Sequence, residues 1–165
     1  MTLTINNRRL LIVEDDAPKQ KAIEQFVSEI APEIKMTSVR SLSNAIAAIE
    51  ENTFDIAIID MSLPTYDFSA DKEGGGQPEG FGGSEIIRFI ESESPQTSCV
   101  IITQYQEFSD KFAQTTKNIE EVTKDLHNEF GDILLGVIYY SGQRGSWRDE
   151  LKTTLKDLLG KRDDS

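Results

Sequence analysis

Residues 10–16 read LLIVEDD: four apolar residues run directly into three acids, Glu14, Asp15 and Asp16. The apolar run is short, with the length of a buried strand rather than of a helix. A strand that buries itself and then ends in a knot of like charges is electrostatically costly unless a cation sits among them. The stretch therefore sets two expectations, a strand covered on both faces and a positive charge at its carboxyl end.

The same pattern recurs along the chain. DIAIIDM (55–61) is apolar nearly throughout and ends at Asp60, CVIIT (99–103) ends at Thr103, and LLGVIYY (134–140) is a further apolar run; KMTSVR (35–40) is weaker. Between these runs the spacing is helical. Pro18 falls near the first turn of a helix carrying Ile23, Phe26, Val27 and Ile30, which Pro32 ends. LSNAIAAIE (42–50) sets Leu42, Ile46 and Ile49 on one face. Ile86, Ile87, Phe89 and Ile90 form another helix closed by Pro95, and residues 106–130 are polar and helix-prone, with Ile119, Val122 and Leu126 at spacings of three and four. A last amphipathic helix over 146–159 runs through Trp147, Leu151, Leu155 and Leu158, with Trp147 as an anchor onto the sheet. Five strands alternating with five helices predict an α/β fold, a doubly wound five-stranded parallel sheet with right-handed crossovers. Ligands bind such sheets at the carboxyl ends of the strands, near the point where strand order reverses.

Composition narrows the functions. The 165 residues suit one domain, 1–165, with a long Gly-rich acidic loop at 64–83 and an extended segment at 104–132. Lys and Arg total 17 against 29 Asp and Glu, a formal net charge of −12, which repels nucleic acid and anionic membrane. The single cysteine, Cys99, excludes an intramolecular disulfide. The opening MTLTINNRR has no apolar signal core, and no apolar run approaches the ~20 residues that span a bilayer. The expectation is a soluble cytoplasmic protein. His127 is the only histidine, so no site of several histidine ligands exists. No Gly-Lys-Ser/Thr follows the glycines at 74–76 or 80–83, which reads as a tether rather than a phosphate cradle.

In a sheet of this kind the strand ends share one edge, so Glu14, Asp15 and Asp60 gather in one crevice with the Thr103 hydroxyl beside them. A hard divalent cation relieves the repulsion: Mg²⁺ takes one or two carboxylates, keeps several waters and accepts phosphoryl oxygens. The chemistry suggested is phosphoryl transfer onto a carboxylate, with Asp60 as nucleophile and Thr103 hydrogen-bonding a phosphoryl oxygen. A phosphatase of the haloacid dehalogenase type also uses a strand-end aspartate, but it needs Asp-x-Asp, and here the residues are Asp60-Met61-Ser62.

LLIVEDD at the first strand, DIAIIDMSLP at the third and VIIT at the fourth, in that order, resemble the receiver domain of two-component response regulators. The Asp-x-x-x-Pro unit from Asp60 to Pro64 is the most specific piece, and GGSEIIRFI resembles the start of the family's third helix, with Gly83 at the place of a family glycine. The resemblance implies a flavodoxin-like sheet of order 2-1-3-4-5. It implies that Asp60 accepts a phosphoryl group from a histidine kinase or phosphotransfer protein, in a regulator that acts through an unknown downstream protein and is no enzyme beyond slow self-dephosphorylation. It further implies that Asp15 binds Mg²⁺ directly, that Glu14 assists through water, that the carbonyl of Ser62 completes the metal's protein ligands, and that Thr103 is the switch hydroxyl. Asp16 is left to cap the first helix.

The chain also departs from the family. The family's last strand ends in Lys-Pro, whereas here Tyr140, Ser141 and Gly142 occupy that region and no lysine is present; Arg144 could lean in as a substitute cation, but its position is shifted. Tyr139 and Tyr140 are both candidates for the family's aromatic switch. The alternative to a phosphorylated regulator is therefore a pseudo-receiver, a docking module that works without phosphate.

Overall fold

The computed structural model describes residues 8–63, 82–110, 115–142 and 145–163. Strand β1 (Arg9–Val13) is buried from Leu10 onward and leads into helix α1 (Ala17–Ile30). Asp16 caps that helix, its side chain accepting from the Lys19 backbone N–H at 3.0 Å, and Pro18 sits in the first turn, where its missing donor costs nothing. Strand β2 (Lys35–Val39) lies at the sheet edge and is only half-buried; helix α2 (Leu42–Glu51), capped by Ser41, and the fully buried strand β3 (Ile56–Ile59) follow. Helix α3 (Gly82–Glu93) and strand β4 (Ser98–Thr103) precede an antiparallel pair, β5 (Glu107–Asp110) and β6 (Thr115–Asn118). Helix α4 (Ile119–Phe130), strand β7 (Leu134–Tyr139) and helix α5 (Trp147–Asp163) complete the chain.

The main sheet runs β2-β1-β3-β4-β7, all parallel. This is the expected 2-1-3-4-5 order, since β5 and β6 pair only with each other. Successive strand residues point to opposite faces. Leu10, Ile12, Ile56, Ile58, Val100 and Ile102 face α1 and α5, while Leu11, Val13, Ala57, Ile59, Cys99 and Ile101 face α2, α3 and α4. Burial on both sides explains why these strands read as continuous apolar runs. Trp147 is fully buried on the first face, edge-on to Phe26 at 5.5 Å, and its indole N–H donates to the Gly142 carbonyl at 2.7 Å.

The structure corrects one expectation. The helix-prone stretch 106–130 is helical only from Ile119; its first part is the β5–β6 hairpin, closed by a bond from the Ile119 N–H to the Gln106 carbonyl at 2.8 Å. Apolar residues at helical spacing begin only at Ile119, Thr115 and Thr116 favour extended backbone, and Asn118 caps α4 by accepting from the Glu121 N–H at 2.9 Å. Pro64, the glycines at 74–76 and Arg144 lie outside the described residues.

Candidate functional site

The strand order reverses between β1 and β3, and the site lies at their carboxyl ends. Val13 pairs with Ile59, and the Asp60 N–H donates to the Val13 carbonyl at 2.9 Å, so Glu14 and Asp60 leave the sheet at one level. Both are buried. Oxygen atoms of Glu14, Asp15 and Asp60 lie within 4.8 Å of one another, as strand-end reasoning required. Ser62 is half-buried, two residues beyond Asp60. Thr103 is fully buried, its Oγ1 accepting from the Tyr105 N–H at 3.2 Å. Gly83 packs directly behind: its N–H donates to the Met61 carbonyl at 2.8 Å. His127 is exposed on α4 and Cys99 is core, its thiol pushed up to about 12 by burial; neither belongs to the site.

The residue that sequence reasoning missed is Lys19. It is as buried as the acids it meets. Its ammonium lies 2.8 Å from Glu14 Oε2 and 3.1 Å from Asp60 Oδ1, and it donates to the Ile102 carbonyl at 2.7 Å and to Gln104 Oε1 at 2.8 Å. The cation required by the opening acids is thus supplied in part by the chain itself. A signal was present: Lys19 falls five residues after Glu14, on the turn that a proline and an aspartate cap start, where a long side chain can lean back over the strand end.

One ammonium does not balance three carboxylates. Burial and the nearby Asp60 charge push Glu14 up to about 8, against the pull of Lys19; burial likewise pushes Asp60 up to about 6, with Lys19 opposing. Asp15, half-buried, is also raised, mainly by desolvation. Asp60 Oδ2 is buried without a hydrogen-bond partner. An excess of buried negative charge and a carboxylate oxygen with no donor fit a hard divalent cation or a phosphoryl group. The raised acids carry a pH signature. Acids whose folded pKa exceeds the unfolded value hold extra protons in the native state, so stability is full below about 4 and falls as pH rises toward about 8. Thermal melting without metal is expected to drop between pH 5 and pH 8, and Glu14→Gln is expected to flatten that slope; an unchanged slope in Glu14→Gln would show that the burden lies elsewhere.

No protein-family model matches the chain. Over 151 residues it is 24% identical to the Detocs response regulatory protein DtcB of Enterobacter cloacae, covering 91% of this chain and 99% of that protein. In structure it is similar to the signal receiver domain of a putative Luxo repressor protein from Vibrio parahaemolyticus, with a TM-score of 0.63 at 19% identity over 93% of this chain and 91% of that one. The fold is that of a response-regulator receiver. The response regulator TrrA of Thermotoga maritima, solved with Mg²⁺ and beryllium fluoride, is similar to this receiver fold with a TM-score of 0.61 and 17% identity over 92% of this chain and 98% of that one. The β5–β6 pair lies between β4 and α4 along the chain. Among the described residues no helix of this receiver fold is long and apolar enough to cross a membrane.

Proposed function

We propose that the protein is a response regulator whose Asp60 accepts a phosphoryl group from the phosphohistidine of a kinase or phosphotransfer protein and that acts through protein partners. The observation that carries this reading is Asp60 Oδ2: buried, without a donor, at the strand-order reversal, between two further acids and a lysine. Its lone pair would attack phosphorus; the histidine N–P bond breaks as the O–P bond forms, and the imidazole leaves with a proton from solvent. Glu14, Asp15, Asp60 and the carbonyl of Ser62 would hold Mg²⁺, which neutralises charge on the phosphoryl oxygens. Thr103 would turn its hydroxyl from the Tyr105 N–H to a phosphoryl oxygen. The full-length similarity to a response regulatory protein supports the signalling role, and Lys19 removes the chief argument for a pseudo-receiver, a site without lysine. The reading places the protein in the cytoplasm, with no nucleic acid among its partners, and gives it no catalytic turnover beyond slow loss of the phosphoryl group.

Intact mass after incubation with a small phosphodonor and Mg²⁺ tests the reading. One phosphoryl adduct is expected on the wild type and none on Asp60→Ala; an adduct on both, or on neither, contradicts the assignment. A second measurement addresses the metal. Asp15→Asn is expected to abolish Mg²⁺ binding, and, by removing one of the crowded charges, to raise the melting temperature of the metal-free protein. An unaltered magnesium titration removes Asp15 from the metal site, and a lower melting temperature would mean that Asp15 is structurally paired.

A further inference from the structure

An ammonium has three hydrogens, and Lys19 faces four acceptors. Asp60 Oδ1, the Ile102 carbonyl and Gln104 Oε1 take the aligned hydrogens; Glu14 Oε2, at 2.8 Å, is met as an ion pair without one. The ring of Tyr140 lies 5.9 Å from the same ammonium. Tyr139 pairs with Thr103, and the Tyr140 N–H donates to the Thr103 carbonyl at 2.8 Å, so Tyr140 is the first residue past the β7 ladder, in the region where the resembling family carries its lysine. The cation has changed elements: an aromatic ring stands at the end of the last strand, and the charge arrives from α1.

We propose that Lys19, delivered from the first turn of α1, is the cation that pairs with a phosphoryl group on Asp60, and that in doing so it lets go of Gln104. The inference rests on the phosphoacceptor reading above. A phosphoryl group adds charged oxygens to a donor whose hydrogens are already all in use, so one existing partner must be given up. The Ile102 carbonyl is fixed in β4 and fully buried beside the ammonium. The Glu14 and Asp60 contacts are charged. The Gln104 amide is neutral, half-buried and lies one residue beyond the end of β4, so it forms the weakest and most easily exchanged of the bonds. Gln104 opens the segment that runs into β5 and β6. Its release would carry the phosphorylation signal out toward β5 and β6.

The test uses the full chain with beryllium fluoride and Mg²⁺ as phosphoryl mimic, reading bound fluoride by ¹⁹F NMR and amide exchange over 104–118. Wild type is expected to bind the mimic and to exchange faster across that segment. Lys19→Met is expected to lose at least about tenfold in affinity, the scale of one charge-assisted hydrogen bond, and to lose the exchange response. Lys19→Met/Tyr140→Lys, which returns the cation to the last strand, is expected to regain affinity without regaining the response, because Gln104 is no longer held beforehand. Gln104→Ala keeps Lys19 in place and guards against a Lys19→Met that does not fold: it is expected to bind normally with no exchange response. Wild-type affinity in Lys19→Met, or a full response in Gln104→Ala, overturns the inference while leaving the phosphoacceptor intact. A wild type that binds no mimic overturns the phosphoacceptor reading itself, and this inference with it.

Discussion

Gly83→Ala is expected to destabilise the protein by about 1–3 kcal/mol and to slow phosphoryl adduct formation at Asp60. A Cβ on Gly83 would stand 2.5 Å from the Asp60 carbonyl oxygen and 2.9 Å from the Met61 Cα, both backbone atoms that cannot swing aside. Helix propensity pulls the other way, since alanine is better than glycine by up to about 1 kcal/mol inside a helix. The overlap outweighs that gain, because relieving it means pushing α3 off the loop that carries Asp60. The site and the helix are coupled through that contact, so stability and adduct rate are expected to fall together. Gly136→Ala is the control: nothing lies within 4 Å of its Cβ, and little change is expected. Equal denaturation midpoints for wild type and Gly83→Ala would mean that α3 can shift freely relative to Asp60.

Trp147→Ala is expected to cost about 3–5 kcal/mol, the range for removing a large buried aromatic. The side chain is fully buried against Phe26 and against Tyr140, whose ring centroid lies 5.2 Å away. Its loss leaves a cavity where α5 meets the sheet and strips the Gly142 carbonyl of its donor. Trp147→Phe restores most of the ring and not the N–H, so its cost is expected to be nearer the roughly 1 kcal/mol of a single hydrogen bond, plus incomplete filling. Urea denaturation of the two variants separates packing from bonding. Comparable losses in both would place the weight on the bond to Gly142.

Much of this molecule is legible along the chain. Leu10 to Val13, Ile56 to Ile59 and Cys99 to Ile102 are apolar without alternation because each is covered on both faces, and continuous apolar runs between helical patterns leave few arrangements other than a parallel sheet. Glu14, Asp60 and Thr103 could be placed on one edge before any coordinates, since parallel strands must all end on the same side. The pairing of β5 with β6 was not legible. Apart from Phe108 the residues of the two strands are polar, their local spacing suits a helix as well as a strand, and only pairing between the two strands selects the extended form.

What the sequence by itself determined is the sheet, its covering helices and the meeting of three acids at its carboxyl edge, because periodicity and strand polarity are local properties that survive without knowledge of contacts. What only the tertiary structure decided is the counter-charge. Along the chain Lys19 is one polar residue in the first turn of an amphipathic helix, placed where a long side chain can lean back over the strand end but with nothing that names its partners. Its ammonium reaches Ile102 and Gln104, 83 and 85 residues away, only because α1 crosses back over the sheet and sets its first turn beside the end of β4. A long, flexible stem ending in a point charge takes its partners from whatever the fold brings within reach, and that reach is a property of packing rather than of spacing.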